Sequence, residues 1–392
     1  MNLAIDQEKP KSCIQVVFVT SVFGAVHNGP ALYANYLWEY FNADPEIDFY
    51  LVTPSSDIKH EKIYESGTFG NSRQNYQMLQ LKALEVANQL ADEGVIIHGN
   101  NSHAMSLLKD HTGPLIGQVN DYDAARVMQN PLLIIRRHGI RRFLSLYYRN
   151  RKEQDFFRIA NLLVCNSKFV RNELIHRYQL SSDTARKVIY KAIDFQAFPH
   201  VRSSMKSKKN LLFVGSNWFG KGLDIAIKSL ASLPSKFDYL KLEVVGQCSA
   251  NELKIKNLVH RLKLENRVVF HGHIARPRIP GFFHNAAALV FPSHNEALGV
   301  TAIESVASGT PVIASAIGGI PEIFSGTQSS ILVSNQSSSF SLAIQALLEN
   351  YPSDSKIMHD RSLIEKKFCL EDMLKKIKLV YKSPLSKIGK NG

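Results

Sequence analysis

The chain has 392 residues, 45% of them hydrophobic and 21% charged, with a formal net charge of +13. This is a soluble globular composition, long enough for two domains of ordinary size, and it excludes a chain built of membrane spans. The positive excess points to an anionic partner: a nucleotide, an anionic lipid surface or a nucleic acid.

The start, Met1–Ser12, is polar and mixed in charge and reads as no signal peptide. Ile14–Thr20 is an apolar run of the kind that forms a buried parallel strand, too short to span a membrane. A loop, Ser21–Pro30, carries Gly24 and Gly29, and an amphipathic helix follows over Ala31–Phe41. Phe49–Thr53, Val95–His98, Leu115–Val119 and Leu162–Cys165 read as further strands with helical stretches between them. Residues 134–158 hold Arg136, Arg137, Arg141, Arg142, Arg149, Arg151, Lys152 and Arg158 against Glu153 and Asp155, a balance of +6, interleaved with seven Leu, Tyr and Phe side chains. Basic and aromatic residues on one helix point to an anionic membrane surface, with a nucleic acid as the rival and a solvated face over an apolar one as the plain alternative.

The second half repeats the plan. Leu211–Val214 is a strand, Gly215–Gly222 a glycine-bearing loop and Leu223–Leu230 a helix. Strands follow at Leu242–Val245, Val268–Phe270, Leu289–Phe291 and Val312–Ala314, and an amphipathic helix closes the chain over Phe368–Tyr381. Alternating strands and helices imply doubly wound parallel sheets, two of them here. The expected organisation is a first domain over 1–198, a linker at 199–209 rich in Ser and Lys, a second domain over 210–367 and a tail over 368–392. Cys13, Cys165, Cys248 and Cys369 form no ligand or redox motif and read as reduced thiols of a cytoplasmic protein.

One segment carries most of the functional signal. After the apolar run Ala286–Phe291 come the loop residues Pro292, Ser293 and Asn295, with Glu296 among them. Val300, Ile303, Glu304 and Ala307 then recur at helical spacing until Gly309 and Pro311 stop the helix. A helix N-terminus suits a phosphate, and Gly299 lets backbone approach a ligand closely. Glu304 sits roughly 7 Å further along the axis, at about 1.5 Å per residue, in reach of a ribose, while Glu296 can face a sugar. Taken alone, two acids at this spacing are also met as a solvated pair near a helix start.

The string from Pro292 to Glu322 resembles the glutamate-x-seven-glutamate signature of the retaining glycosyltransferases of family four. Pro292, Ser293, Glu296, Gly299, Glu304, Gly309, Pro311, Val312, Ile313, Ala314, Gly318, Gly319, Pro321 and Glu322 match it, and Ser305 replaces the usual Ala. The resemblance implies the GT-B architecture: two Rossmann-like domains facing a central cleft, the first for the acceptor and the second for a nucleoside diphosphate sugar, with the last helix returning to the first domain. Donor-site residues would be Gly215, Ser216, Lys221, Gly246, Ile274, Glu296, Ala297, Leu298, Gly299, Val300 and Glu304, with Lys221 on the diphosphate. The arginine the family places near Gly215 is Ser216 here, and Gly220 precedes Lys221. Asn28 and Gly29 stand for the acceptor-side glycine loop. Asn120 and Asp121 occupy the place of the family's His-Asp, so an amide replaces a histidine and cannot act as a base.

The resemblance implies no metal and no cofactor beyond the donor. Asp121-Tyr122-Asp123 spells a three-letter metal motif, and His271 and His273 alternate at a strand end, but neither comes with further ligands in sequence. The expected function is transfer of a sugar to a lipid-linked or cell-envelope glycan at the inner membrane face. A small soluble acceptor and a non-catalytic sugar-nucleotide-binding subunit are the alternatives, while nucleic acid leaves the Glu296–Glu304 segment unexplained.

Overall fold

The computed structural model describes residues 13–24, 29–90, 94–100, 108–121, 139–178, 187–200, 210–247 and 252–383, with single positions at 132, 135 and 180. Contacts divide the chain into two compact units. Met1–Asn166, Val170–Ile189 and Leu374–Gly392 make the first, and Ser167–Phe169 with Tyr190–Met373 make the second.

The first unit holds a sheet of seven strands: β1 (Ile14–Val19), β2 (Ile47–Thr53), β3 (Ile63–Glu65), β4 (Ile96–Gly99), β5 (Leu115–Val119), β6 (Leu162–Cys165) and β7 (Lys187–Val188). They lie in the order β3-β2-β1-β4-β5-β6-β7, every pair parallel. Strands β4, β5 and β6 are buried at every residue, as a parallel sheet covered on both faces requires. Its long helices are α1 (Gly29–Phe41), α2 (Ser72–Gln89), α3 (Ile140–Ile159) and, from Val170 onward, α4 (Lys168–Tyr178). Helix α1 buries Ala31, Ala34, Leu37, Trp38 and Phe41, a stripe at helical spacing. Phe41 stacks on Phe49 of β2 at 5.4 Å, and Phe49 on Phe18 of β1 at 5.8 Å.

The second unit holds six parallel strands: β8 (Asn210–Val214), β9 (Lys241–Val245), β10 (Val268–Gly272), β11 (Ala286–Phe291), β12 (Val312–Ser315) and β13 (Ile331–Val333). Their order is β10-β9-β8-β11-β12-β13, so the direction of winding reverses between β8 and β11. Helices α5 (Leu223–Ala231), α6 (Glu252–Arg261), α7 (Ile279–Asn285), α8 (Val300–Ala307), α9 (Ile320–Ile323), α10 (Ser337–Glu349) and α11 (Asp354–Phe368) belong to this unit. The final helix α12 (Leu370–Lys382) counts with the first unit from Leu374 onward. There Lys378 pairs with Asp44 at 2.7 Å and Glu46 at 2.5 Å, and the Tyr381 ring lies 5.2 Å from Phe41.

The units part between Ile189 and Tyr190 rather than at 198. The reason is packing: Ile193, Phe195 and Phe198 are buried in the core of the second unit with Phe283 and Phe368. The second unit also runs past the expected limit at 367, because Ile193 bridges Cys369 in a parallel pairing. Most of the expected linker, 201–209, lies outside the described residues. No helix among the described residues is long and apolar enough to cross a membrane.

A buried titratable pair closes the core of the first unit. His98 of β4 is fully buried, its Nδ1 lies 2.7 Å from the Tyr381 hydroxyl, and burial pushes its imidazole down to about 3. An unfolded histidine binds its proton near pH 6.5. As pH falls below that value the unfolded chain takes up a proton that the native imidazole refuses, so stability falls. The loss through this group should reach about 2 kcal/mol between pH 6.5 and pH 5. Urea unfolding across that range should show a shallower pH dependence for His98→Gln than for the parent. Equal slopes would contradict the assignment.

Candidate functional site

The carboxyl ends of β8, β9, β10 and β11 lie side by side, because parallel neighbours all end on the same edge. Gly215, Gly246 and Ile274 follow three of these strands, and the loop 292–299 follows the fourth. The Gly215 N–H donates to the Val245 carbonyl at 2.9 Å, and the Gly246 N–H donates to the Gly272 carbonyl at 2.8 Å. The expected donor-site residues of the second unit are thus brought to one edge, at the switch point of its sheet, where α/β proteins place ligands.

Two loops close on each other there. Gly222 has φ +74°, and a Cβ on it would lie 2.0 Å from the Pro292 carbonyl oxygen, so only glycine fits. The His294 N–H donates to the Gly220 carbonyl at 3.0 Å. This contact delivers Lys221 to Glu296, whose Oε2 is 2.5 Å from the lysine Nζ. The Ser293 hydroxyl lies 3.4 Å from the same oxygen. From the other side, Gly318 (φ +58°) leaves only room for hydrogen opposite the Glu296 carbonyl, to which the Gly319 N–H donates at 3.1 Å. Glu296, Ala297 and Leu298 are clamped between these two glycine contacts. Gly299 (φ +107°) then opens α8 at Val300, and no side chain caps that helix. Its first turn offers backbone N–H groups and the positive end of its dipole.

Glu304 lies one turn into α8 and is 5% exposed. Burial pushes its carboxyl above the usual range, and the guanidinium of Arg276, 2.7 Å away, pulls it back. Arg276 carries no signal in the sequence reading. Its partner is 28 residues distant, and the short turn Arg276–Arg278 after β10 has no motif of its own. Glu322, matched in the signature without a role, accepts the backbone N–H groups of Lys168 (2.9 Å) and Phe169 (2.6 Å) and the Tyr190 hydroxyl (2.8 Å), all within the second unit.

In the first unit, Asn28 lies outside the described residues, and Gly29 opens α1 with open space around its Cα. Asn120, just past β5, donates to Asn100 Oδ1 at 3.0 Å, and its carbonyl accepts from Asn166 at 2.9 Å. These three asparagines sit at the ends of β4, β5 and β6. Asn100 and Asn166 were not singled out in sequence; each follows a buried apolar run. Asp121 lies 2.5 Å from Arg149 on α3. Arg149 also bonds Glu153 at 3.0 Å, and the Tyr178 hydroxyl donates to Glu153 at 2.8 Å. Burial raises Glu153 to about 7 despite that arginine.

The structure bears on two of the sequence readings here. Asp121 is an ion-pair partner of Arg149, and Asp123 lies outside the described residues. Among the described residues no three His, Cys, Asp or Glu side chains cluster around a metal position. The basic stretch is also not one surface. Arg149 faces inward with Glu153, Phe156 and Phe157, which are buried, because these positions share the sheet-facing side of α3. Arg141, Arg151 and Arg158 are exposed beside Ile140, Leu144, Tyr147 and Tyr148, while Arg136 and Arg137 lie outside the described residues.

Comparison with known proteins agrees with this geometry. Residues 194–361 match the family model "Glycosyl transferases group 1". Over 215 residues the chain is 28% identical to a D-inositol 3-phosphate glycosyltransferase of Arthrobacter sp. (strain FB24), covering 51% of each chain. Over 186 residues it is 31% identical to a protein of the same name from Kineococcus radiotolerans, covering 43% of this chain and 42% of that one. The chain therefore spans about half the length of the curated relatives it matches. Among solved structures, HepE of Anabaena in complex with UDP superposes with a TM-score of 0.72 at 17% identity, over 94% of this chain and all of that one. Sucrose-phosphate synthase from Thermosynechococcus elongatus gives 0.75 at 18% identity, over 95% of this chain and all of that one. Residues 194–361 thus resemble the glycosyl transferases group 1 family, on a chain with the two-Rossmann GT-B fold.

Proposed function

We propose that this chain is a retaining glycosyltransferase that moves a sugar from a nucleoside diphosphate sugar to a glycan or lipid-linked acceptor. The observation that carries the reading is the convergence of Gly215, Gly246, Lys221, Glu296, the uncapped α8 terminus and Glu304 on one sheet edge. In this reading the diphosphate lies at the tip of α8, the ribose hydroxyls reach Glu304, and the sugar faces Glu296. Lys221 exchanges Glu296 for the diphosphate when the donor binds. The bond from the anomeric carbon to the phosphate oxygen breaks while the acceptor oxygen bonds to the same face. The leaving phosphate takes the acceptor's proton. Catalysis is then mainly electrostatic, from Lys221 and the helix tip acting on the charge of the leaving group. Asn120 and Asp121 contribute hydrogen bonds on the acceptor side, and no metal is required. The family's missing arginine, Ser216 here, puts more of the phosphate charge on Lys221 and the helix terminus.

Glu304→Ala and Lys221→Ala should each weaken nucleoside diphosphate binding by roughly 1.5–3 kcal/mol, the range for a charge-assisted hydrogen bond. Calorimetric titration checks this, and parent-like affinity in both variants would move the site elsewhere. Donor turnover by the parent should persist in excess chelator. Loss of turnover restored by manganese would contradict the metal-independent mechanism, and tight binding without any turnover would favour a binding subunit.

Two acceptor classes have support. The relatives named as D-inositol 3-phosphate glycosyltransferases favour a small soluble acceptor. The exposed Ile140, Leu144, Tyr147 and Tyr148 beside Arg141, Arg151 and Arg158 on α3 favour a lipid-linked one at an anionic leaflet, and we adopt this second class. Vesicles with about 30% anionic lipid should co-sediment the protein, less so as salt shortens the Debye length from about 10 Å at 0.1 M to about 3 Å at 1 M. Arg141→Gln with Arg151→Gln should lower that binding about thirty-fold, at about 1 kcal/mol per arginine. Sedimentation independent of anionic lipid would favour the soluble acceptor.

A further inference from the structure

Glu304 is a carboxylate in a poorly hydrated place. It is 5% exposed and sits on a helix whose other buried side chains are apolar or small: Ala302, Ile303, Ser305, Val306 and Ala307. A charge so placed needs a partner. The only partner hydrogen-bonded to it among the described residues is Arg276, whose Nη2 reaches Oε1 at 2.7 Å. Arg276 does not come from α8. It stands on the short turn after β10, and its guanidinium lies over the ring of Phe198 at 5.4 Å. Phe198 is itself 1% exposed, so it offers a fixed face for the guanidinium to rest on.

Other charged groups nearby are engaged elsewhere. Helix α11 packs against α8. Of its charged side chains, Arg361 donates to the Phe198 and Phe195 carbonyls, Asp360 accepts from Gln328 and Ser329, and Asp354 faces His200 at 3.3 Å. The bond from Arg276 ends on Oε1, and no protein hydrogen bond to Oε2 is found among the described residues. Among the described residues one carboxylate oxygen is thus held by protein, and the other has no hydrogen-bonded protein donor.

We propose that Arg276 is a positioning residue of the donor site: it fixes Glu304 through Oε1 and keeps it an anion, so that Oε2 can accept the ribose hydroxyls of a nucleoside diphosphate. The inference rests on the reading of Glu304 as the ribose-binding carboxylate. Without the guanidinium, burial alone acts on the carboxyl and favours its neutral form. A neutral acid is the weaker acceptor of two hydroxyl donors. The consequence is a pH dependence steeper than the parent's.

The test uses whichever of UDP, ADP and GDP binds the parent most tightly, titrated calorimetrically from about pH 6 to about pH 8.5. Each variant is compared with the parent at the same pH, which cancels the ligand's own titration. Arg276→Met should bind about ten-fold more weakly at the acid end and approach the parent at the alkaline end, as its Glu304 ionises. Arg276→Lys keeps a cation beside the carboxylate and should hold a flat ratio to the parent. Glu304→Gln should bind weakly at every pH. A parent-like Met variant at every pH, or one weakened by the same factor throughout, overturns the positioning role while leaving the ribose reading intact, provided Glu304→Gln is weak. Parent-like binding by Glu304→Gln, or no binding of any of the three nucleotides by the parent, overturns the ribose reading and this inference with it. Thermal melting of each variant separates loss of fold from loss of affinity.

Discussion

Opposite charges at 2.5 Å hold the centre of the second unit's candidate ligand-binding edge: Lys221 from the loop after β8 and Glu296 from the loop after β11. Both loops leave the carboxyl ends of adjacent parallel strands, at the point where the sheet reverses its winding. The backbone then supplies the closeness. Gly222 lets its loop touch the Pro292 carbonyl, and Gly318 lets the following turn touch the Glu296 carbonyl. The lysine side chain is about one third exposed and the glutamate largely covered. Such a pair is held by geometry more than by its own net energy, since desolvation offsets much of the attraction. In the proposed reading this suits a ligand site, because an incoming diphosphate would compete for Lys221 on nearly equal terms.

The two units use polar groups at their strand ends in different ways. The second unit keeps glycines after β8 and β9 and at the last position of β10, leaving backbone uncovered for a close approach. The first unit fills the ends of β4, β5 and β6 with Asn100, Asn120 and Asn166 bonded to one another. Its charges near that edge, Asp121, Arg149 and Glu153, pair with one another, and the Tyr178 hydroxyl donates to Glu153. An amide-lined edge suits recognition of neutral hydroxyls, whereas the glycine-lined edge with its helix terminus suits a phosphate.

Much of this was legible in sequence where the physics is local. Ala286–Phe291 is apolar throughout and forms a fully buried strand, and Gly309 with Pro311 ends α8 as their backbone preferences dictate. The short outer strands Ile63–Glu65, Lys187–Val188 and Ile331–Val333 escaped notice because they are two or three residues long and half exposed, with no periodicity to read. The contact division falls before the expected boundary at 198 because Phe195 and Phe198, just ahead of the Ser- and Lys-rich stretch, pack in the second core. Counting charge over residues 134–158 ignored helical phase. Arg149 and Glu153 lie on the inward face with Phe156 and Phe157, and so cannot serve a surface. Arg276 was invisible for a plainer reason: a contact between residues 28 apart leaves no spacing rule behind.

The account stands on the claim that the edge formed by Lys221, Glu296 and the α8 terminus receives the diphosphate. A crystal structure with a bound nucleoside diphosphate tests it most directly. The account predicts phosphate oxygens at the backbone N–H groups of the first turn of α8, with Lys221 turned from Glu296 to the phosphate and the ribose hydroxyls on Glu304. A nucleotide bound elsewhere, or one bound with the Lys221–Glu296 pair unbroken, would contradict it.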